Sequence, residues 1–425
     1  MMARQLYSLL WYLALPFVLF RLWRRSKKAP AYAERLRERF GYVVARADQP
    51  LWIHAVSVGE TLAIAPLVEL LLARHTGMPI IITTMTPTGA ERARSLFGDR
   101  VQHYYCPYDV PCALKRFIRS IRPRALVVVE TELWPNMVAR CQQNAIPVLL
   151  ANARLSERSA RGYARFSALT RPMLQNLSLV AAQNPVDGGR FVALGLPPER
   201  LEVTGSIKFD VSAPVNLSEN SVQLRTQWGA HRKVLVAGST HAGEEAMLLS
   251  LLKRLQAVEP DLLLVLVPRH PERFAEVKKL ALQQGFNTCS RSDGQANPQT
   301  QVYLGDTMGD LMMLYGCADL VFVGGSLVER GGHNPLEPAF LAKPVLMGPH
   351  VFNFAVICDA LEAAGGLVKV KDLDNLETCC LVLLKNNEQA IAQGKAAAAF
   401  VVANQGALER LYQQVEPLLC VKPQI

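Results

Sequence analysis

Apolar positions along this chain follow two patterns, short continuous runs and stripes of helical spacing, and the two alternate from residue 51 onward. Continuous apolar runs separated by helices are typical of a parallel sheet that is covered on both faces. In the first half the pattern predicts strands at 51–56, 80–84, 101–105, 125–130 and 148–152, helices at 62–73, 89–97, 113–120 and 137–143, and a continuation at 179–183, 188–194 and 201–204.

The alternation stops at 210–220, a segment with few bulky apolar residues that we interpret as a linker. Two α/β halves around a linker predict a cleft between domains, with ligands at the carboxyl ends of the strands. A length of 425 residues likewise favours two domains over one. After the linker the pattern predicts strands at 234–237, 262–267, 302–304, 320–323 and 344–347, helices at 244–256, 271–284, 308–315 and 336–341, and a mostly helical tail over 387–419.

The net charge of +10 is concentrated at the N-terminus, where residues 1–50 hold ten basic and three acidic side chains, a balance of +7. This charge lies beside an apolar stretch at 6–20 that only Ser8 and Pro16 interrupt. Basic charge next to an apolar segment indicates contact with an anionic membrane surface. No RNA- or DNA-binding motif accompanies the charge, so we expect no nucleic-acid partner.

The apolar stretch predicts an uncleaved membrane anchor. It is short for a spanning helix, which needs about 20 apolar residues. Its basic cluster follows the apolar core, the reverse of a signal peptide, and no small-residue cleavage site comes after it. We expect the anchor to dip into or lie on the inner leaflet, with the body of the protein in the cytoplasm. A buried helix of a soluble protein is the alternative.

The segment 323–337 predicts a phosphate-binding loop. It runs from an apolar strand through two Gly-Gly pairs to Asn334 and Pro335. Free backbone N–H groups at a helix N-terminus bind phosphate, and proline suits the first helical position. Glu337 would lie in the first turn and accept hydrogen bonds from sugar hydroxyls. Phosphate and sugar together indicate a nucleotide-sugar site.

Charged residues follow three strands of the first half. Glu60 is a candidate general base for an incoming hydroxyl, or else a simple complement to the helix dipole. Glu130 and Glu132 share one loop, an arrangement that requires cations, hydrogen bonds or a shared proton. Lys208 lies at the end of the first half and can neutralise the charge of a phosphate or carboxylate substrate. The alternative is a solvent-exposed lysine in a hinge.

In the second half, 238–245 resembles a phosphate-gripping turn but lacks the Gly-Lys-Ser/Thr ending of a P-loop. Arg269 ends another strand and suits a phosphate or a pyrimidine edge. Asp372 and Asp374 match an Asp-x-Asp metal motif, although helix capping explains them better. The nine cysteines form no Cys-x-x-Cys pair, and the histidines no ligand spacing, so we expect a reducing environment and no metal.

Taken together, these motifs resemble the 3-deoxy-D-manno-octulosonate (Kdo) transferases of lipopolysaccharide synthesis. The segments that carry the resemblance are 57–61, 83–89, 130–136, 151–156, 267–273 and 323–337. The resemblance implies a GT-B fold, with two Rossmann-like domains facing across a cleft and an N-terminal membrane-anchor helix. It also implies inverting, metal-independent transfer of Kdo from CMP-Kdo to the lipid A precursor (lipid IVA) at the cytoplasmic face of the inner membrane, without a cofactor.

The resemblance assigns roles residue by residue. Glu60 matches the family's catalytic base, and Glu130 and Lys208 match the pair that supports the transition state. Asp310 is often Glu in the family, a change that keeps the carboxylate. The positions that match the CMP- and Kdo-binding segments are Pro268, Arg269, Met308, Gly309, Asp310, Leu311, Asn334, Pro335, Leu336 and Glu337.

The expected layout is an anchor at 1–28, an acceptor-binding domain at 29–209, a linker at 210–220, a CMP-Kdo-binding domain at 221–400, and a C-terminal helix at 401–425 that packs back on the first domain. Two other functions fit the same pattern. One is a GT-B nucleotide-sugar epimerase or hydrolase, which would need neither anchor nor basic surface. The other is a non-catalytic glycolipid-binding protein, which would not need Glu60 and Glu130 at strand ends.

Overall fold

Two α/β units make up the chain in the computed structural model, which describes residues 2–27, 29–294 and 296–420. Unit 1 contains the described residues up to Asp210 and from Gln405 onward, and unit 2 runs from Val211 to Asn404. Each unit is built on a seven-stranded sheet.

All strand pairs in the sheet of unit 1 are parallel, and the strand order is β3-β2-β1-β4-β5-β6-β7. The order reverses between β1 and β4, which are neighbours in the sheet, so this is the topological switch point where ligands bind in such sheets. The strands are β1 (Leu51–His54), β2 (Ile80–Thr84), β3 (Gln102–Tyr105), β4 (Ala125–Val129), β5 (Val148–Ala153), β6 (Leu179–Ala182) and β7 (Leu201–Val203).

Helices cover both faces of this sheet, as its fully buried central strands require. They are α1 (Met2–Ser26), α2 (Val58–Arg74), α3 (Pro87–Phe97), α4 (Pro111–Ile121), α5 (Pro135–Gln143), α6 (Glu157–Arg165), α7 (Ser167–Gln175) and α8 (Pro185–Ala193).

Unit 2 repeats the architecture with the strand order β10-β11-β9-β8-β12-β13-β14, again with parallel pairs throughout. Its switch point lies between β8 and β12. The strands are β8 (Val234–Thr240), β9 (Leu263–Pro268), β10 (Thr288–Ser290), β11 (Val302–Leu304), β12 (Leu320–Val323), β13 (Val345–Met347) and β14 (Leu367–Lys369). The helices are α9 (Leu217–Trp228), α10 (Glu244–Gln256), α11 (Phe274–Gln283), α12 (Leu311–Gly316), α13 (Leu336–Phe340), α14 (Ala355–Ala363), α15 (Leu373–Lys385) and α16 (Asn387–Asn404).

The last helix, α17 (Ala407–Cys420), belongs to unit 1. Its buried residues Leu411 and Val415 join the core between the sheet and α2. The carboxylate of Asp210 accepts hydrogen bonds from the backbone N–H groups of Gly406 and Leu408, both at 2.6 Å. The chain therefore leaves unit 1 and re-enters it at neighbouring positions, which one carboxylate ties together.

The alternating pattern located most strands and helices, but the structure corrects several boundaries. The linker expected over 210–220 ends earlier, because α9 begins at Leu217 and buries Leu224 and Trp228. The helix expected over 308–315 begins only at Leu311, since Gly309 has a left-handed backbone (φ 94°). Elements that the pattern did not predict are α6, none of whose residues is fully buried, and α7, α9, β10, α14, β14 and α15.

Helix α1 lies along unit 1 on one face and is exposed on the other. On the inner face Trp11 lies 6.1 Å from the Tyr108 ring, and Leu15, Val18 and Leu19 pack against the same small cluster. On the outer face a helical stripe of apolar residues is exposed, with Leu10 and Tyr12 exposed beside it; the stripe consists of Met2, Leu6, Leu9, Leu13, Phe17, Phe20 and Trp23. Among the described residues α1 is the helix that is long and apolar enough to cross a membrane, and none of it is fully buried. It is therefore not a core helix.

A buried carboxylate organises the loop that follows β12. Glu244, fully inaccessible to solvent, accepts hydrogen bonds from the backbone N–H groups of His241 (2.9 Å), Gly325 (2.7 Å), Ser326 (3.0 Å) and Leu327 (3.0 Å). Burial raises the pKa of Glu244, and these four hydrogen bonds oppose that rise because they stabilise the charged form. The loops after β8 and β12 are thus held to each other across the switch point.

We expect Glu244→Gln to destabilise unit 2 by about 2–4 kcal/mol, because an amide group replaces one acceptor oxygen among buried N–H donors. Urea unfolding of the full chain measures the loss. Glu388→Gln is the matched control, since Glu388 also lies in the first turn of a helix but is exposed. Equal midpoints for the two variants would contradict a structural role for Glu244.

Candidate active site

Two predicted catalytic residues of unit 1 flank its topological switch point. Glu60 follows β1 and lies in the first turn of α2, and Glu130 directly follows β4. Because β1 and β4 are neighbours in a parallel sheet, their carboxyl ends open at the same edge. Both carboxylates therefore lie at the edge where sheets of this kind bind ligands.

Glu60 is buried, with 9% of its surface exposed. Its Oε2 accepts a hydrogen bond from the backbone N–H of Val56 at 2.7 Å, and its Oε1 accepts one from the Ser57 hydroxyl at 2.8 Å. Ser57 caps α2 by accepting from the Glu60 N–H. Burial is the main cause that raises the pKa of Glu60 to about 7; the hydrogen bonds from Ser57 and Val56 oppose this rise, and the charges of Glu132 and Glu130 add to it. A carboxyl group with this pKa can accept a proton near neutral pH, as the predicted base role of Glu60 requires.

Glu130 has a left-handed backbone with φ 59°, which is why β4 ends at Val129 rather than at the predicted residue 130. Such a conformation is strained for a residue other than glycine and is concentrated at functional sites. The Glu130 N–H still donates to the carbonyl of Ala151 on β5. Its Oε2 lies 3.7 Å from Nε of Arg154. The strained turn thus aims the carboxylate at a cation.

Lys208 lies on a short 3₁₀ turn, Ile207–Phe209, near the end of unit 1. Burial lowers its pKa, the negative charge of Glu130 raises it, and the positive charge of Arg154 lowers it. Glu130, Arg154 and Lys208 therefore form one charged group, which the structure assembles from three separate strand-end loops. Arg154, which the resemblance placed only within a motif, is a member of this group that sequence reasoning did not single out.

Asn152 is a second residue of this edge that sequence reasoning missed. The pairing of β5 with β6 shifts register between Leu150 and Ala153, and Asn152 within that bulge has φ 51°. Bulges of this kind re-aim a side chain. The fully buried Asn152 accepts a hydrogen bond from the N–H of Ile207 at 3.3 Å, so it holds the turn that carries Lys208. Its Nδ2 has no hydrogen-bond partner within the described part of the chain.

The predicted nucleotide-binding residues of unit 2 fall into two groups. Pro268 ends β9, Arg269 follows it, and Asn334–Glu337 form the entry to α13. Burial raises the pKa of Glu337, while a hydrogen bond from Asn334 Nδ2 (3.2 Å) and the positive charge of Arg269 lower it. Arg269 therefore lies close enough to Glu337 to lower its pKa, and a shared ligand for the two residues stays a prediction.

The second group, Met308, Gly309, Asp310 and Leu311, forms the entry to α12. Asp310 accepts a hydrogen bond from the Thr307 hydroxyl at 2.6 Å and pairs with Arg291 Nε at 3.2 Å. Met308 is 66% exposed. Helix α12 packs against α13, so the two groups lie on neighbouring helices. Burial raises the pKa of Tyr315 on α12, and the negative charge of Glu337 raises it further.

The structure shows which N–H groups of segment 323–337 are already engaged. Helix α13 has only five residues and Pro335 lies just before it, so its dipole is small. The N–H groups of Gly325, Ser326 and Leu327 are already bound by the carboxylate of Glu244. The first Gly-Gly turn is thus occupied by an internal anion, whereas Glu337 does lie in the first turn of α13 as predicted.

A pair of histidines faces the switch point of unit 2, and sequence reasoning missed it. His241 follows β8 and His333 belongs to the loop after β12; their Nε2 atoms are 2.8 Å apart and their rings are stacked. The His270 ring lies 5.3 Å from that of His241. Burial lowers the pKa of His333 to about 4 and lowers that of His241. The sequence does contain a signal for this pair, because both histidines belong to loops that follow the strands at the switch point, β8 and β12.

No group of three or more His, Cys, Asp or Glu side chains could hold a metal ion within residues 2–27, 29–294 and 296–420. Asp372 is the N-cap of α15 and accepts from the Asn375 N–H at 2.8 Å, and Asp374 pairs with Arg254 at 2.7 Å. The Asp-x-Asp sequence is therefore a helix start with a surface ion pair.

Comparison with solved structures identifies the architecture. The UDP-GlcNAc 2-epimerase of Neisseria meningitidis, solved with UDP-GlcNAc, superposes with a TM-score of 0.55 over 87% of this chain and 99% of its own, at 16% identity. At that identity the likeness shows the fold alone. Together with the two parallel sheets it confirms a GT-B-like α/β fold.

Sequence comparison identifies the family. A family model described as 3-deoxy-D-manno-octulosonic-acid transferase (kdotransferase) matches residues 34–211. The 3-deoxy-D-manno-octulosonic acid transferase of Haemophilus influenzae is 42% identical and covers 98% of this chain and 99% of its own. That of Bordetella pertussis is 35% identical over 98% of this chain and its own full length. With the GT-B-like fold and the full-length similarity in place, the chain belongs to the family of 3-deoxy-D-manno-octulosonic acid transferases.

Proposed function

We propose that this protein transfers Kdo from CMP-Kdo to the lipid A precursor, lipid IVA, with inversion at the sugar and with Glu60 as the general base. The observation that carries the proposal is the buried carboxyl of Glu60 at the β1/β4 switch point, whose pKa is about 7. The full-length similarity to Kdo transferases supports the substrate class.

Glu60 takes the proton from the acceptor hydroxyl as its oxygen attacks the anomeric carbon of Kdo, and the bond from that carbon to the CMP phosphate breaks. A base works best when its pKa lies near the working pH, because a useful fraction is then ionised and still basic. The Ser57 hydroxyl and the Val56 N–H hold the two carboxylate oxygens of Glu60 in fixed directions. We propose that they orient its free lone pairs toward the acceptor.

The second part of the proposal is electrostatic support by Lys208, Arg154 and Glu130. Both the departing CMP phosphate and the Kdo carboxylate are anions, so positive charge in a site with little water stabilises the transition state. Lys208 is largely removed from solvent, and Glu130 favours its charged form. Asn152 keeps the Lys208 turn in place through the Ile207 N–H. Because these cations offset negative charge, we propose a reaction that needs no metal.

We propose that unit 2 binds the donor. Arg269 is exposed and lies close enough to Glu337 to lower the pKa of that carboxyl. Arg269 suits a phosphate, and Glu337 suits the hydroxyls of the ribose or the sugar. The remaining contacts are assigned to Pro268, Met308, Gly309, Asp310, Leu311, Asn334, Pro335 and Leu336. In this layout 29–209 binds the acceptor, 221–400 binds CMP-Kdo, and 401–425 completes the first domain.

We propose that residues 1–28 attach the protein to the cytoplasmic face of the inner membrane. The outer stripe of α1 presents apolar side chains to solvent, while its inner face is in contact with unit 1 through Trp11 and Ser8. A helix that is packed against a folded body on one face lies in the membrane interface more readily than it spans the bilayer. Arg21, Arg24 and Arg25 follow the stripe and favour anionic lipids.

Only the fold supports the epimerase or hydrolase alternative, because an epimerase of similar fold is only 16% identical to this chain. A non-catalytic glycolipid-binding protein would have no use for a buried carboxyl with a raised pKa, which is costly to keep in the absence of chemistry. Transfer therefore remains the function that the site supports best.

Glu60→Gln should leave CMP-Kdo binding unchanged and lower the transfer rate at least about 100-fold, because the amide cannot take a proton. Calorimetry measures binding and mass spectrometry of the glycolipid product measures transfer. Glu69→Gln is the control on the same helix, since exposed Glu69 pairs with Arg100. Near-normal turnover by Glu60→Gln would remove Glu60 from the base role.

The single-turnover rate should reach a plateau above pH about 7, be half-maximal near pH 7, and fall about tenfold for each pH unit below that. The sign follows from the base role: the raised pKa of Glu60 means that the carboxyl is protonated, and inactive, on the acid side. Residual transfer by Glu60→Gln should lack this acid limb. A flat profile from pH 6 to 8 in the unsubstituted enzyme would contradict the assignment.

Leu13→Glu/Phe17→Glu should abolish sedimentation with anionic vesicles while leaving the melting temperature unchanged, because both side chains lie on the exposed stripe (70% and 67% exposed). Val222→Glu/Val402→Glu, which alters two exposed valines of unit 2 with the same charge change, is the control. This design is cleaner than deletion of α1, which would uncover Tyr108 and Val110. Full sedimentation of the stripe variant would show that other surfaces carry the attachment.

A further inference from the structure

A groove in unit 1 runs between α1 and α5 and encloses about 390 Å³. Its α1 wall includes Arg4, Ser8, Leu9 and Tyr12, and its α5 wall includes Asn136 and Arg140. Spacings of four residues place Arg4 with Ser8 on one face of α1, and Asn136 with Arg140 on one face of α5. The volume is ample for a phosphate group with its two ester oxygens.

The floor of the groove is fixed by buried hydrogen bonds. The Ser8 hydroxyl donates to Asn136 Oδ1 at 3.0 Å and joins the two helices. Buried Asp109 accepts from the N–H groups of Asn136 (3.0 Å) and Met137 (2.8 Å), and Asn136 Nδ2 donates to the Asp109 carbonyl at 2.8 Å. The groove is therefore a built feature of unit 1 rather than a gap beside a loosely placed helix.

The charge in the groove is uncompensated. Its lining contains Arg4 and Arg140 but no Asp or Glu. Neither arginine has an ion-pair partner among the residues that the structure describes; Arg140 Nη1 donates to the neutral Gln143 Oε1 at 3.1 Å. Guanidinium groups bind phosphate oxygens in a planar, two-pronged geometry. Two such groups facing one cavity favour a single phosphate.

The rim of the groove is apolar on the side of the exposed α1 stripe. Leu9 and Tyr12 line the groove and are themselves 55% and 44% exposed, and Leu13 continues the apolar surface outward. A free anion would use only the arginines. A lipid would use both parts, with its phosphate on Arg4 and Arg140 and an acyl chain along Leu9 and the stripe.

From this geometry we infer that the groove binds the headgroup of one anionic phospholipid of the surrounding bilayer. The inference deepens the proposed membrane attachment of α1 and rests on it for its biological setting. Two cations with no acidic neighbour favour a headgroup of net negative charge over one that carries its own cation. The bound lipid would occupy the joint between α1 and α5, the helix that follows the Glu130 loop.

Native mass spectrometry of the full chain in detergent micelles, titrated with phosphatidylglycerol, tests the inference. We expect one retained phosphatidylglycerol per chain, and phosphatidylcholine should not replace it. Arg4→Ala/Arg140→Ala should weaken retention at least about tenfold, because charge-assisted hydrogen bonds are lost. Arg158→Ala/Arg161→Ala, which removes the same charge from exposed positions of α6, should bind like the unsubstituted chain.

Equal retention by the two double variants would overturn the inference in favour of diffuse attraction. Displacement of phosphatidylglycerol by inorganic phosphate would overturn it in favour of a plain anion site, and one-for-one displacement by lipid IVA would assign the groove to the acceptor. The use of micelles separates this inference from the membrane proposal, because retention of phosphatidylglycerol is then measured without vesicle sedimentation. The unsubstituted chain should retain one phosphatidylglycerol in micelles whether or not it sediments with vesicles.

Discussion

Parallel strand pairing is the constraint on which the rest of this structure depends. In each unit all strands of the sheet run the same way, so every strand ends at one edge, and the loops that carry charge are collected there. The order of the strands then selects which loops become neighbours. In unit 1 the reversal between β1 and β4 places Glu60 beside Glu130, and in unit 2 the reversal between β8 and β12 places His241 against His333.

Buried carboxylates show how the same side chain is used for structure or for chemistry. Glu244 receives four backbone N–H groups, which satisfy its oxygens and leave it no room for a ligand. Asp109 likewise receives the N–H groups of Asn136 and Met137. Glu60 receives one N–H and one hydroxyl, two donors fewer than Glu244, and burial is the main cause that raises its pKa to about 7. A carboxyl of this kind at a strand end fits the general base that we propose.

The first helix shows how two faces of one element serve two environments. Its inner face joins unit 1 through aromatic packing and the Ser8–Asn136 hydrogen bond, and its outer face leaves an apolar stripe in solvent. Proteins seldom leave such a stripe uncovered unless a membrane or partner covers it. The arginines of the adjoining groove add positive charge beside this apolar surface.

The sequence by itself determined the fold class, most strands, and the identity of Glu60, Glu130, Lys208 and Arg269 as charged residues at strand ends. Continuous apolar runs and helical stripes are local signals, so neighbouring residues are enough to reveal the strands and helices. Each motif that carries these charged residues is likewise one uninterrupted segment of the chain. The family resemblance, confirmed by full-length similarity to Kdo transferases, came from those same contiguous motifs.

Only the tertiary structure decided which of these groups meet and what their surroundings do to them. Segment 323–337 contains the glycines of a phosphate loop, yet its N–H groups are bound by Glu244, about 80 residues earlier in the chain. Asn152 and Arg154 joined the Lys208 group only through a bulge and a strained turn. Protonation and hydrogen-bond occupancy depend on contacts between distant residues. Burial therefore raised the pKa of Glu60 in a way that no local pattern encodes.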